Sequence, residues 1–465
     1  MSDLYDAPLF RTAGHQVVDR LADHLERMQA RDGRAHPALQ PLAAMQDFTG
    51  PMPAAPAPDA LAAVLRHVDD AIDRTMHLHH PGCMGHQVAA PMPVSALADF
   101  VAGFLNQGMA VFETGQIGVL IERQTVRWLA DAVGWGAEAD GMFTSGGSLG
   151  NTTALLAARN LAGDGRSWTD GVRAEAPMVV LVSEQAHYSI SRAAGVLGLG
   201  QANVIGVKTD ADCRMDLAAL RAEADAAEAR GQRVLAVVGS ACTTAAGAYD
   251  PLVDIGALCR ERGYWFHVDG AHGASVLLSP RYKHLAAGIA LADSIVWDAH
   301  KLLSVPSLAT AVLFRRGGDN YAAFRQEASY LFNEGAETAF DLGLRTLECT
   351  KRMLAFKLWL AFQVHGADAL GEMVATMHDR AREFAALVAA APGFELLLPP
   401  ESNIVCFRRD GDDALQEALR ARVMAAGAYY LVQTRLHGRI WLRITVMNPA
   451  TARADFEGLL EALQG

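Results

Sequence analysis

Lysine occurs at only five of the 465 positions: Lys208, Lys283, Lys301, Lys351 and Lys357. Chemistry that needs a primary amine therefore has five candidates. Lys301 stands apart because it follows the apolar run SIVW in ADSIVWDAHKLLSVP, beside His300. A lysine desolvated at the end of a buried strand has a lowered pKa and can form a Schiff base with a carbonyl compound. The others have plainer settings. Lys208 is followed by Thr209, Asp210 and Asp212, which reads as a solvated turn, and Lys283 sits in the loop-like PRYKH. Lys351 and Lys357 are placed on a helix with Arg352.

Three further motifs carry groups that could serve such a lysine. In YWFHVDGAHGAS, Asp269 ends an apolar run, where a carboxylate is costly unless it meets a cation or a hydrogen-bond donor. A protonated pyridine nitrogen is one such partner; a loop cap or an arginine is the ordinary one. In SEQAHYSISRAAGVLG, His187 follows an apolar run, a more functional place than a lone histidine usually has. In TSGGSLGNTTALLAARN (Thr144–Asn160), Gly146 and Gly147 precede a helix whose first turn holds Ser148, Asn151 and Thr152. Glycines admit close backbone approach, and the N–H groups of a helix start bind anions. A strand–helix turn with a serine cap would read the same way. The order glycine turn, His, Asp, Lys, each after a strand, says more than any one motif.

The elements that must hold these groups follow from hydrophobic patterning. Short apolar runs at Met178–Ser183, Asn203–Val207, Val234–Gly239, Trp265–Val268, Ser294–Trp297 and Ala309–Phe314 predict strands. Helical stretches such as Ser148–Ala162 and Leu217–Arg230 fall between them. Continuous apolar strands alternating with helices predict an α/β fold with a mostly parallel central sheet and helices on both faces. Such sheets bind ligands at the carboxyl ends of their strands. Residues 10–32 and Asp59–His77 predict two N-terminal helices joined by a segment containing Pro51, Pro53, Pro56 and Pro58. That part is too small to fold alone and is expected to pack on another domain or a partner subunit. A long helix near Leu347–His365 leads into a small C-terminal α+β domain with strands at Ile404–Arg408 and Arg439–Val446.

Composition narrows the class. With 51% hydrophobic and 20% charged residues the chain is globular, and a net charge of −12 argues against nucleic-acid and anionic-membrane partners. The six cysteines are scattered without a CxxC pair, as expected of reduced thiols in the cytoplasm. No metal-ligand spacing stands out, so no metal is expected. MSDLYDAPLF does not predict a leader peptide. No apolar stretch reaches the roughly 18 residues that span a membrane.

From about His80 onward the motifs HPGCMGHQ, SGGSLGN, SEQAHYS, HVDGAHG, DAHK, EASYLF and LRITVMNP resemble the group II amino-acid decarboxylases that depend on pyridoxal 5′-phosphate (PLP). These act on glutamate, cysteine sulfinate, aromatic amino acids or 2,4-diaminobutyrate. The resemblance implies fold type I, the aspartate aminotransferase-like fold of PLP-dependent transferases. It implies an N-terminal segment (1–78) wrapping a partner subunit, a PLP-binding domain (79–346) and a small domain (347–465). It further implies an obligate homodimer with interfacial sites.

Carried over residue by residue, the resemblance makes Lys301 the Schiff-base lysine and Asp269 the partner of the pyridine nitrogen. His187 stacks on the ring and assists proton transfer. Gly147, Ser148 and Leu149 hold the phosphate through the backbone, with His300 nearby and Ser329 reaching the partner subunit's phosphate. Thr243 lies near the ring hydroxyl and Ala271 packs under the ring. Arg443 binds the substrate carboxylate, a task that suits its forked guanidinium; His86 and Gln87 line the substrate pocket.

The sequence departs from the family in three places. The stretch Asn333–Leu344, where relatives carry a mobile loop with a tyrosine, has Phe340 as its only aromatic residue. His272 replaces an aromatic residue, and Asp298 replaces an asparagine beside the phosphate, a surprising place for an acid unless it faces away or binds His300. The expected reaction is decarboxylation of a small polar L-amino acid, acidic or diamino, to the amine and CO₂. The missing tyrosine leaves oxidative deamination, aldol or lyase cleavage and transamination as alternatives. A catalytically inactive PLP-fold binding protein is the remote one.

Overall fold

The computed structural model describes residues 2–37, 50–162, 165–172, 177–324 and 340–464. They form two compact units. One comprises Gln87–Arg382 with Leu398–Val405; the other comprises Met1–His86, Glu383–Leu397 and Cys406–Gly465.

The larger unit is built on a seven-stranded sheet. Its strands are β1 (Asp140–Thr144), β2 (Met178–Ser183), β3 (Val204–Val207), β4 (Arg233–Ser240), β5 (Trp265–Asp269), β6 (Ser294–Asp298) and β7 (Thr310–Phe314), in the spatial order β1-β7-β6-β5-β4-β2-β3. From β6 to β3 all neighbours run parallel, whereas β7 is antiparallel to both β1 and β6. The mostly parallel sheet expected of fold type I is present. Every residue of β2, β6 and β7 is buried, which explains their unbroken apolar runs. Each such Val, Leu or Ile contributes about 1.5–3 kcal/mol on leaving water.

The helix Gly147–Ala162 lies on this sheet. Leu155, Leu156 and Ala158 join Val180, Val238, Val296 and Val312 in one core. Patterning missed β1, whose DGMFT lacks β-branched residues before its final threonine. It also missed the helices Pro93–Leu105 and Phe112–Val133.

The expected helix from Leu347 begins only at Phe356 and runs to Ala390, kinked at Gly366. Its middle belongs with the larger unit, where Arg281 pairs with Glu372 and Asp379 at 2.7 Å. The division therefore falls after Arg382.

In the smaller unit a four-stranded sheet carries β8 (Phe394–Leu396), β9 (Ile404–Arg409), β10 (Val432–Leu436) and β11 (Arg439–Thr445), in the order β10-β11-β9-β8. Helices Asp413–Ala426 and Arg453–Gln464 accompany it. The N-terminal helices Ala7–Gln29 and Ala60–Arg74 start where Asp6 and Asp59 accept the backbone N–H of Leu9 (2.8 Å) and Ala62 (2.9 Å). Arg20 joins them through Asp69 at 2.9 Å. Among the described residues no helix is long and apolar enough to cross a membrane.

Candidate active site

Parallel strands in register deliver their last residues to one edge. Ser240 at the end of β4 lies opposite Asp269 at the end of β5, and Asp269 lies opposite Val296 of β6, two residues before Asp298. At the same edge β1 ends in Thr144 and the chain turns through Gly146, whose φ of +101° disfavours any residue with a Cβ. The Gly146 carbonyl accepts the N–H groups of Leu149 and Gly150, both at 3.1 Å, and starts the helix.

These ends enclose a cavity of about 310 Å³. Gly147, Ser148, His187, Thr243, Asp269, Ala271, His300 and Lys301 all line it, as do Ser145, Asn151, His272 and Asp298. Leu149 does not line it, and its N–H is already given to Gly146. Ser329 and residues 333–339 lie outside the described residues. Phe340 is held by the Phe112 ring, 5.3 Å between centroids, with the Arg123 guanidinium 4.8 Å over its face.

Asp298 is not turned away. Its carboxylate accepts Thr310 Oγ1 at 2.5 Å and meets Lys301 Nζ at 3.0 Å, with His300 Nε2 at 3.6 Å. It also borders the glycine turn, since a Cβ on Gly147 would stand 3.1 Å from its Oδ2. Burial alone would lower the pKa of Lys301, but the charges of Asp298 and then Asp269 outweigh it, so the pKa is raised. The sequence-based expectation of a lowered lysine pKa is thereby corrected: desolvation acts, but two carboxylates overrule it and hold an ammonium.

His187 behaves oppositely. Burial pushes its pKa down, against Asp269, which pushes it up. Its Nδ1 accepts the Ser189 N–H at 3.3 Å, which places the proton of the neutral ring on Nε2. Thr243 Oγ1 accepts the Ala248 N–H at 3.1 Å, leaving its own hydrogen to donate. Asp269 accepts Asn151 Nδ2 at 2.9 Å and the Ala271 N–H at 3.2 Å. His272 Nε2 lies 2.6 Å from Asn403 Oδ1.

Asn151 was named in the sequence only as part of a helix turn, yet it is 1% exposed and touches Asp269. The signal was present: an amide on the otherwise apolar face of Leu155 and Ala158 must find partners.

Among the other expected pocket residues, Gln87 belongs to the larger unit. Its Nε2 is buried with no hydrogen-bond partner among the described residues. His86 and Arg443 belong to the smaller unit, Arg443 on β11 opposite Val432. There the His86 ring lies 5.9 Å from that of Tyr430, which stacks on His36. Partial burial lowers the pKa of His86, and the charges of Arg443 and Arg420 lower it further.

The cavity suits PLP. Lys301 offers an amine for its aldehyde, Asp269 a carboxylate for its ring nitrogen, Thr243 a donor for its hydroxyl, and the turn at Gly146–Ser148 a backbone cradle for its phosphate. Asp298 is the one group at odds with an anion there.

Comparison with known proteins agrees. The pyridoxal-dependent decarboxylase conserved domain matches residues 45–410. Mouse cysteine sulfinic acid decarboxylase is 31% identical over 425 residues, 86% of this chain and 85% of its own length. The L-2,4-diaminobutyrate decarboxylase of Rhizobium meliloti is 31% identical over 466 residues, covering 98% and 91%. The crystal structure of mouse CSAD superimposes with a TM-score of 0.92 at 27% identity, covering 99% of each chain.

Proposed function

Because the chain belongs to the pyridoxal-dependent decarboxylase family, we propose that it removes CO₂ from a small polar L-amino acid through the cavity at Lys301. The convergence of Lys301, Asp269 and His187 on that cavity carries this reading. When bound, PLP supplies the electron sink for the bond that breaks. Lys301 would hold the cofactor through its amine, and Asp269 would keep the ring nitrogen protonated. The family resemblance assigns the substrate's α-carboxylate to Arg443, whose forked guanidinium suits it. His187 would relay a proton to Cα after CO₂ leaves, taking it from solvent as an imidazolium and returning to the neutral ring, a state that its lowered pKa favours.

An acidic side chain fits best. Cysteine sulfinic acid and acidic amino acid decarboxylases are among the relatives, and Gln87 holds an unused amide donor. Carboxylate or sulfinate oxygens would accept from such a donor. The similarity to diaminobutyrate decarboxylases supports a diamino acid as the second reading. The absence of a tyrosine from Asn333–Leu344 keeps oxidative deamination and transamination as further alternatives; of that stretch, Phe340 packs on Phe112.

The working unit we propose is a dimer. The helix Pro93–Leu105 leaves Leu97, Phe100, Phe104 and Leu105 each more than half exposed, around a concave apolar surface shared with Pro91 and Pro306. Exposed apolar surfaces of this kind are common at subunit interfaces, which supports the dimer reading. Leu308, close by in sequence, is exposed and lines the cavity. A second copy seated there would complete the cavity wall. In the smaller unit Leu4 and Tyr5 are more than four-fifths exposed, as a wrapping segment requires.

The test is an amino-acid panel (aspartate, glutamate, cysteine sulfinate, 2,4-diaminobutyrate) with PLP, read by mass spectrometry of products and by CO₂ release. Amine and CO₂ in equal amounts are expected. A keto acid with peroxide, or no product at all, would sink the decarboxylase reading. Phe104→Glu should convert the dimer to monomer by light scattering and lower turnover with it.

A further inference from the structure

We propose that His267 and Asn151 are positioning residues that aim Asp269 at the cofactor's ring nitrogen, through a one-way chain of hydrogen bonds from Trp265 by way of Ser294. The proposal rests on Asp269 being the ring-nitrogen partner. Four bonds make the chain. Trp265 Nε1 lies 2.8 Å from Ser294 Oγ, Ser294 Oγ 2.8 Å from His267 Nδ1, His267 Nε2 2.9 Å from Asn151 Oδ1, and Asn151 Nδ2 2.9 Å from Asp269 Oδ2. His267 and Ser294 are fully buried and Asn151 is 1% exposed, so the two bonds that His267 makes are shut off from water.

Their direction can be derived. An ionised carboxylate only accepts, so Asn151 must turn its NH₂ to Asp269 and its carbonyl oxygen to His267. His267 Nε2 must then carry a proton. Burial pushes the pKa of His267 down to about 4, so the ring holds one proton and Nδ1 accepts. Ser294 therefore gives its hydroxyl hydrogen to Nδ1 and receives the indole N–H of Trp265. Every donor points towards Asp269. A chain so ordered leaves Asn151 one orientation, and the flipped amide would set oxygen against oxygen.

The consequence reaches the cofactor. Asn151 and the Ala271 N–H supply the carboxylate with two donors, and a carboxylate so bonded leaves a shared proton on the ring nitrogen. Unpinning Asn151 lets that proton drift to Asp269 and weakens the electron sink. Neither His267 nor Ser294 lines the cavity, so both act through Asn151.

The experiment loads wild-type protein, His267→Phe and His267→Gln with PLP labelled with ¹⁵N in the ring. It records the ring ¹⁵N shift, PLP dissociation and the melting temperature. Wild type should show a protonated ring nitrogen. His267→Phe should move the signal towards the unprotonated position and weaken PLP binding about tenfold, the effect of one bond to a charged group. His267→Gln, which can still donate to Asn151, should stay near wild type. Ser294→Ala should shift the signal the same way by less, and serves if His267→Phe does not fold. An unmoved ring signal in a folded His267→Phe or Ser294→Ala would overturn the chain. So would His267→Gln matching His267→Phe. A wild type that binds no PLP would instead overturn the cofactor reading beneath it.

Discussion

Three lysines of the larger unit are sunk beside carboxylates, Lys357 against Asp99 at 3.3 Å, Lys351 and Lys301, and the last two differ in that Lys301 borders the cavity. Lys351 Nζ lies 2.5 Å from Glu122 Oε1 and 2.5 Å from the Phe143 carbonyl, with 3% of its side chain exposed. Glu122 also accepts the Phe143 N–H at 2.9 Å, so the pair clamps β1. Lys301 meets Asp298 at 3.0 Å but keeps 22% of its side chain exposed, towards the cavity. Their proton affinities diverge as well. For Lys351 burial wins over Glu122 and the pKa is lowered. For Lys301 two carboxylates win over burial and it is raised. By proton affinity alone Lys351 would look the better nucleophile. Access decides otherwise: an amine whose donors are spent on protein atoms, with no space beside it, cannot meet a carbonyl compound.

Exchanging the two residues breaks the comparison most sharply. Lys301→Ala should abolish turnover and the visible absorption of lysine-bound PLP while leaving the fold intact by circular dichroism. Surviving turnover would end the central reading. Lys351→Ala should do the reverse. Stranding Glu122 without its partner should cost about 3–5 kcal/mol in urea unfolding, while PLP absorption persists in protein that remains folded. Replacing both partners, Lys351→Met with Glu122→Leu, should recover most of that loss, since the desolvation of two charges disappears with them. A double variant no more stable than Lys351→Ala would mean that the pair is needed for β1 in itself.

Reading Lys351 correctly required three dimensions. The sequence put it on a helix with Arg352, but the helix begins at Phe356 and Lys351 lies before it. Its partner Glu122 is 229 residues away, a distance that no local pattern spans. The place of Lys301 at the cavity was legible because its setting is local: an apolar strand, then a polar turn. The same holds for Asp269 and His187, whose strands ended within a residue of expectation or, for β2, where expected.

What stayed hidden were the cross-strand ties. The antiparallel insertion of β7 between β1 and β6 follows from pairing, which patterning does not encode. His267 sat in plain view within WFHV, but its role depends on Asn151, 116 residues away. Asp298 was recognised as an oddity beside a phosphate, and its bond to Lys301 appears only once the turn at DAHK is folded.

That bond gives the subtlest expected effect. Capture of PLP needs the neutral amine of Lys301, and Asp298 holds the ammonium. Asp298→Asn removes the nearer of the two carboxylates that raise the lysine pKa, so the pH at which the cofactor-free chain captures PLP should move down, without abolishing capture. Stability should follow the same sign. A lysine with a raised folded pKa stabilises the fold below its unfolded value, here 10.5, and loses that contribution as pH climbs through the folded value. Wild type should therefore lose stability on the alkaline side of that value more steeply than Asp298→Asn. Stopped-flow absorbance of PLP uptake across a pH series, with melting curves in the same buffers, reads both. An unshifted capture profile in the variant would mean that Asp298 serves the phosphate end of the site, and that Lys301 owes its charge to Asp269 alone.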